Sequence, residues 1–171
     1  VVRCDRKVWR IFARHHYLSG VIPSSSRTWL MTINKVPAAF LAEMRQPHPK
    51  AKNIRRISRM VVSPDFQGLG LGYVFMSMIA SAYKCEKERT TATFAHPSLI
   101  HTFNKSSNWA MIKKPGKNSQ HSVGSRKDTT MTDMSSNIKR HKSARATASF
   151  EWCGSKNASY HKQLIENYSK K

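Results

Sequence analysis

At 171 residues the chain has room for one domain, and with 39% hydrophobic and 9% aromatic residues it buries a real core, which excludes wholesale disorder. Thirty Lys and Arg stand against nine Asp and Glu, a formal charge of +21 that repels itself in a compact state and calls for a polyanionic partner or substrate, nucleic acid being the usual one. The longest uncharged apolar stretch, Tyr73 to Tyr83, is too short to cross a bilayer, so no membrane partner is expected.

The opening residues, Val1 to Lys7, are charged and hold no apolar run of the kind a signal peptide needs, so secretion is not expected. Cys4, Cys85 and Cys153 are odd in number, far apart and without a C-x-x-C pair. They suit neither a disulfide scaffold nor a zinc ribbon and point to a reducing cytoplasm.

In chain order, Asp5 to Tyr17 reads as a helix: Trp9, Phe12, Ala13 and His16 recur at helical spacing, and Asp5 can cap the start. Thr28 to Ile33 and Val36 to Met44 read as a hairpin turning at Asn34-Lys35, with Pro37 requiring an edge or a bulge. Gln46 to Asn53 is a loop. Ile54 to Val62 alternates as a strand, with Ile57, Arg59 and Val61 set against Ser58, Met60 and Val62. Gly72 to Tyr83 carries a helical apolar stripe, and Thr90 to Phe94 is a short strand, which makes Ile54 to Phe94 a βαβ unit. Pro97 to Lys105 reads as a further helix. Large apolar residues thin out from Lys113 to Lys142, giving a basic loop. Ala144 to Trp152 alternates as a strand returning to the sheet, and the tail from Asn157 forms an amphipathic turn or two through Tyr160, Leu164 and Tyr168.

The most informative segment runs from Val61 to Gly72, where Gly68, Gly70 and Gly72 lie between a strand and a helix. Glycines there let an anion approach backbone N–H groups, and the helix start adds partial positive charge. A phosphate site is the natural reading, with a plain tight turn as the alternative. The spacing fits neither G-x-G-x-x-G nor a P-loop, so NAD and ATP are not favoured.

What remains is Q-x-x-G-x-G, formed by Gln67, Gly70 and Gly72 after a strand ending V-x-P. With the order of helix, hairpin, strand, glycine turn and helix, it resembles the GNAT superfamily of acetyl-CoA-dependent acyltransferases. The resemblance covers roughly residues 54–109 well, the N-terminal half loosely and the basic segment not at all. It implies an α/β fold, a central mixed (α+β) sheet flanked by helices, in a single domain over residues 1–171. Within that domain fall the basic loop-rich segment at 113–143 and the return strand at 144–153. It further implies acetyl-CoA as cofactor, its pyrophosphate held by Gln67, Gly68, Leu69, Gly70, Leu71, Gly72 and Tyr73. Main-chain groups of Met60, Val61 and Val62 would lie along the pantetheine arm. Phe103 to Trp109 resembles the family's Y-x-K-x-G-F stretch, and Phe103 stands where many members keep a tyrosine that protonates the departing thiolate. Phenylalanine donates no proton, so either Ser106, Tyr17 or water does so, or the usual transfer does not occur. Asn104 is either a contact to the cofactor's amide arm or an ordinary surface side chain.

An acylated amine must lose a proton to a base. Glu43 ends the strand before the cofactor strand, where several members of the family keep a catalytic glutamate. Its plainer reading is a surface residue facing Arg45 or Arg55. Asp65 caps or braces the turn. His15, His16 and Tyr17 close the first helix, where the family lines its acceptor cleft; His16 is either a base or a packed histidine on the apolar stripe. His48 and His96 are further candidates for that cleft. With no H-x-H, H-E-x-x-H or Cys partner, no metal is expected.

Residues 1–104 carry a net +11 and residues 105–171 a net +10, the second part being denser. Lys113, Lys114, Lys117, Arg126, Lys127, Lys139, Arg140, Lys142 and Arg145 suit phosphates, and Trp109 or Tyr17 suits stacking on a base. The combined expectation is an acyl-CoA-dependent N-acyltransferase whose acceptor amine is on DNA or RNA. The phage Mom-type DNA modifiers, a branch of the superfamily that alters an adenine amine, offer an analogy. The alternatives are an ordinary protein or small-amine acetyltransferase and a non-catalytic nucleic-acid-binding module.

Overall fold

The computed structural model describes residues 1–16, 21–116 and 146–169. Seven strands form one mixed sheet: β1 (Val2–Arg3), β2 (Arg27–Ile33), β3 (Val36–Arg45), β4 (Ile54–Val62), β5 (Arg89–Phe94), β6 (Trp109–Gly116) and β7 (Thr147–Trp152). Their order is β1-β2-β3-β4-β5-β7-β6. Every neighbouring pair is antiparallel except β4 and β5, which are parallel and joined through a helix, as the expected βαβ unit requires. The helices are α1 (Trp9–Phe12), α2 (Leu71–Cys85), α3 (Pro97–Lys105) and α4 (Ala158–Ser169).

Two cores sandwich the sheet. On one face Phe75, Met76 and Ile79 of α2, Phe103 of α3 and Leu164 of α4 pack on Leu41, Ile57, Ala92 and Phe150. On the other, Trp9 and Phe12 of α1 meet Phe40, Ala42 and Val61. Phe12, Phe40, Phe75, Phe103 and Phe150 are fully buried, each contributing about 1.5–3 kcal/mol of apolar transfer.

The first helix is shorter than the expected Asp5 to Tyr17. Asp5 does cap, its carboxylate accepting from Lys7 N–H at 2.7 Å, but the turn it starts is 3-10. One α turn follows, then a second 3-10 turn, and His16 is already extended. The apolar stripe needed only enough helix to set Trp9 and Phe12 on Phe40, with ring centroids 5.4 and 5.7 Å away. Tyr17 lies outside the described residues. The hairpin is as expected: Asn34 and Lys35 take φ of 50° and 67°, and the register shifts between Met31 and Thr32, opposite the Pro37 region.

The basic loop begins later than Lys113. Lys113 and Lys114 belong to β6, an edge strand that accommodates Pro115 because its outer N–H positions need no partner. Residues 117–143 of that loop lie outside the described residues. The return strand forms from Thr147, and the tail is a helix capped by Asn157, which accepts from Tyr160 N–H at 3.1 Å. Among the described residues no helix is long and apolar enough to cross a membrane.

Candidate active site

β4 and β5 pair only from Ile54 with Arg89 to Ile57 with Ala92. Beyond that rung they part, and the cause is local. Between Ala42 and Glu43 the β3–β4 register shifts, so that Ser58 is an extra residue in β4, a β-bulge whose hydroxyl donates to Ala42 O at 3.1 Å. The bulge also breaks the alternation expected along this strand. Ile57, Met60 and Val62 pack toward α2, whereas Val61 packs with α1. Arg59 falls by alternation on the side of Val61.

The parting strands open a cleft. Ser58, Arg59 and Met60 line one wall, Thr93, Phe94 and Ala95 the other, and His16, His96 and Leu99 the rim. Met60 continues the wall toward the glycine turn, since a Cβ on Gly72 would meet the Met60 methyl.

At the turn, Gly68 and Gly70 have φ of +81° and +71°, and a Cβ added to either meets nothing within 4 Å. Left-handed backbone there selects glycine, and the space beyond is open to a ligand. Gly70 caps α2 without any side-chain bond, and the first helical bond runs from Val74 N–H to Gly70 O. The N–H groups of Leu71, Gly72 and Tyr73 therefore have no acceptor within the helix. Gln67 also holds the turn in shape. Its amide N–H goes to Pro64 O, and its side chain donates to Val62 O at 3.1 Å, bracing the turn against β4.

Glu43 does not reach the cleft. It has no exposed surface and points to α2, where it accepts from Tyr83 Oη at 2.6 Å and from Arg55 at 3.1 and 3.2 Å. Arg55 also bonds Glu88 through two nitrogens, and Arg45 reaches Glu88 at 3.0 Å. Burial opposes charge on Arg55, but the bond to Glu88 and the field of Glu43 outweigh it and push its pKa up. Burial, then the charge of Glu43, raises the Tyr83 pKa. No acceptor amine can approach this sealed pair, so the expected base is a structural ion; its partner is the anticipated Arg55, in the core rather than at the surface.

Other expected site residues are also elsewhere. Ser106 does not line the cleft; its hydroxyl sits 2.7 Å from Tyr73 Oη and accepts from Asn108 N–H at 3.1 Å. Asn104 lines a neighbouring pocket with Ile100 and His101, which adjoins the cleft at Ala95. Phe103 is buried among Tyr73, Phe94, Trp109 and Phe150. Trp109 is a core residue whose indole donates to Ser77 at 3.0 Å, so it cannot stack on a base. His48 accepts the amides of Lys50 and Ala51 in its own loop. His16 and His96 do meet at the cleft. The reading of the sequence missed Arg59, because nothing in one chain announces a bulge.

Comparison with solved structures defines the class of fold. The chain superposes on an IAA acetyltransferase from Bacillus cereus with a TM-score of 0.50 and 11% identity, covering 74% of this chain and 77% of that one. It superposes equally, at 10% identity and covering 74% and 76%, on an acetyltransferase from Bacillus subtilis solved in complex with CoA. A GNAT family acetyltransferase from Elizabethkingia anophelis with acetyl-CoA bound follows at 0.48 and 12%, covering 75% of each chain. The chain thus has the acetyltransferase fold that the glycine turn implied. No family model matches the sequence, and no curated protein does.

Proposed function

We propose that the chain is an acyl-CoA-dependent N-acyltransferase acting on an amine. The observation that carries this reading is the continuity of the bulge-opened cleft with an open, left-handed glycine turn at an uncapped helix start. The amides of Gly68 to Tyr73 suit a pyrophosphate, favoured further by the α2 dipole. Past Ile57 the β4 edge facing β5 has no strand partner, so main-chain groups along Met60 to Val62, apart from the Val62 carbonyl that Gln67 holds, are available to an amide arm. Bound acetyl-CoA supplies an activated acyl carbonyl. The acceptor amine enters between the cleft walls, and His16 or His96 takes its proton, imidazole being the side chain suited to that task near neutrality. With Phe103 in the core, the departing sulfur takes its proton from water or from one of these imidazoles.

Replacing Gly70 with Val tests the cofactor site. The left-handed backbone makes the change cost about 1–2 kcal/mol, and the side chain fills the space before the amides. Calorimetric titration should show acetyl-CoA affinity reduced by about tenfold or more, with the circular dichroism spectrum retained. Equal affinity in both proteins would remove the turn from the cofactor site.

The charge of +21 supports a finer reading, in which the acceptor amine belongs to DNA or RNA held by the basic surface. An ordinary protein or small-amine acceptor gives binding that added polynucleotide does not disturb.

A further inference from the structure

The cleft contains a cation without a counter-ion. Among the described residues Arg45, Arg55 and Arg89 are each paired with a carboxylate. Arg59, half-buried in the cleft wall, has none. Its Nη1 donates to Ser58 O at 2.8 Å, and its Nε is shielded from water with no acceptor. Among the described residues, the other titratable groups lining the cleft are His16 and His96, and no acid lines it. Glu43 is sealed on the opposite face, and Glu151 is held by Arg89 at 2.6 and 2.7 Å.

We propose that the acceptor carries an oxyanion, a carboxylate or a phosphate, close to its amine, and that Arg59 is the specificity residue that reads it; this rests on the transferase reading above. The bulge at Ser58 sets Arg59 in the lining of the cleft together with His16. With Nη1 spent on a backbone carbonyl and Nε shielded, Nη2 is the nitrogen left to meet an oxygen of a carboxylate or phosphate. An oxyanion docked on Nη2 supplies the missing counter-charge and leaves the amine of the same molecule near the imidazoles. An amine without an oxyanion supplies no counter-charge and, when protonated, meets a like charge.

The experiment uses the full chain and matched amines: glycine with glycinamide, β-alanine with β-alaninamide, and O-phosphoethanolamine with ethanolamine. Binding of each in the presence of CoA is measured by calorimetry, and acetylation is followed by thiol release. At least one oxyanion-bearing amine should bind about tenfold or more tightly than its twin lacking the oxyanion, with the same preference in kcat/KM. Whether the carboxylates or the phosphate lead identifies the oxyanion. Arg59→Gln should bring the pair near parity while leaving acetyl-CoA affinity within about twofold, and Arg59→Lys should restore only part of the preference. Twins that bind as well without the oxyanion, or a preference that survives Arg59→Gln, would overturn the proposal. Loss of acetyl-CoA binding by the wild-type chain would instead sink the transferase reading.

Discussion

Arg55 lies between two carboxylates that have little or no water to turn to, Glu43 and Glu88, with the ring of Tyr83 4.7 Å from its guanidinium carbon. Removing one partner of such a buried cluster leaves uncompensated charge, so Arg55→Met should lower stability by about 3–5 kcal/mol in urea unfolding. Glu43→Gln should also destabilise, by less, while the folded fraction keeps its turnover. A catalytic Glu43 would give the reverse, a stable and inactive protein. The sequence drew attention to Glu43 because it is the only acid between Asp5 and Asp65. What it could not display was what covers that carboxylate: alternation along β3 sets Glu43 on the face of Ala39 and Leu41, but only the packing of α2 decides that this face is sealed.

Elements whose stability is local were legible, and those held by partners were not. The Asn34-Lys35 turn announced itself because a two-residue hairpin demands positive φ at both positions. Lys35 meets that demand at the expense of left-handed strain, so Lys35→Gly should raise the unfolding free energy by about 0.5–1 kcal/mol and the thermal midpoint with it. By contrast β1 is two residues paired with Leu30 and Trp29, and β6 mixes lysines with Trp109 and Met111. Neither has a period to read; each exists because a neighbouring strand offers hydrogen bonds. The parallel β4–β5 pair was visible as strand, glycine turn, helix and strand, whereas the cleft beside it depends on the bulge and stayed hidden.

At the scale of the molecule, the charge makes a prediction that no single contact does. If the acceptor is on nucleic acid, binding to random-sequence DNA or RNA should fall with salt at a log–log slope of about −0.9 per phosphate neutralised, reaching about −3 or steeper. A flat response would leave only the free-amine reading. The architecture offers a way to divide the question. Gly116 pairs with Thr147, so the chain leaves the sheet and rejoins it at one rung of the β6–β7 ladder. Closing a loop there depends only weakly on its length, about 0.6 kcal/mol for each doubling. Exchange of residues 117–145 for a short Asn-Gly linker should therefore spare the sheet and acetyl-CoA binding, measured by thermal melting and titration. Polynucleotide affinity that disappears with the excised stretch would assign it there. That rung is a splice point, through which another segment can be exchanged while the sheet and the glycine turn remain untouched.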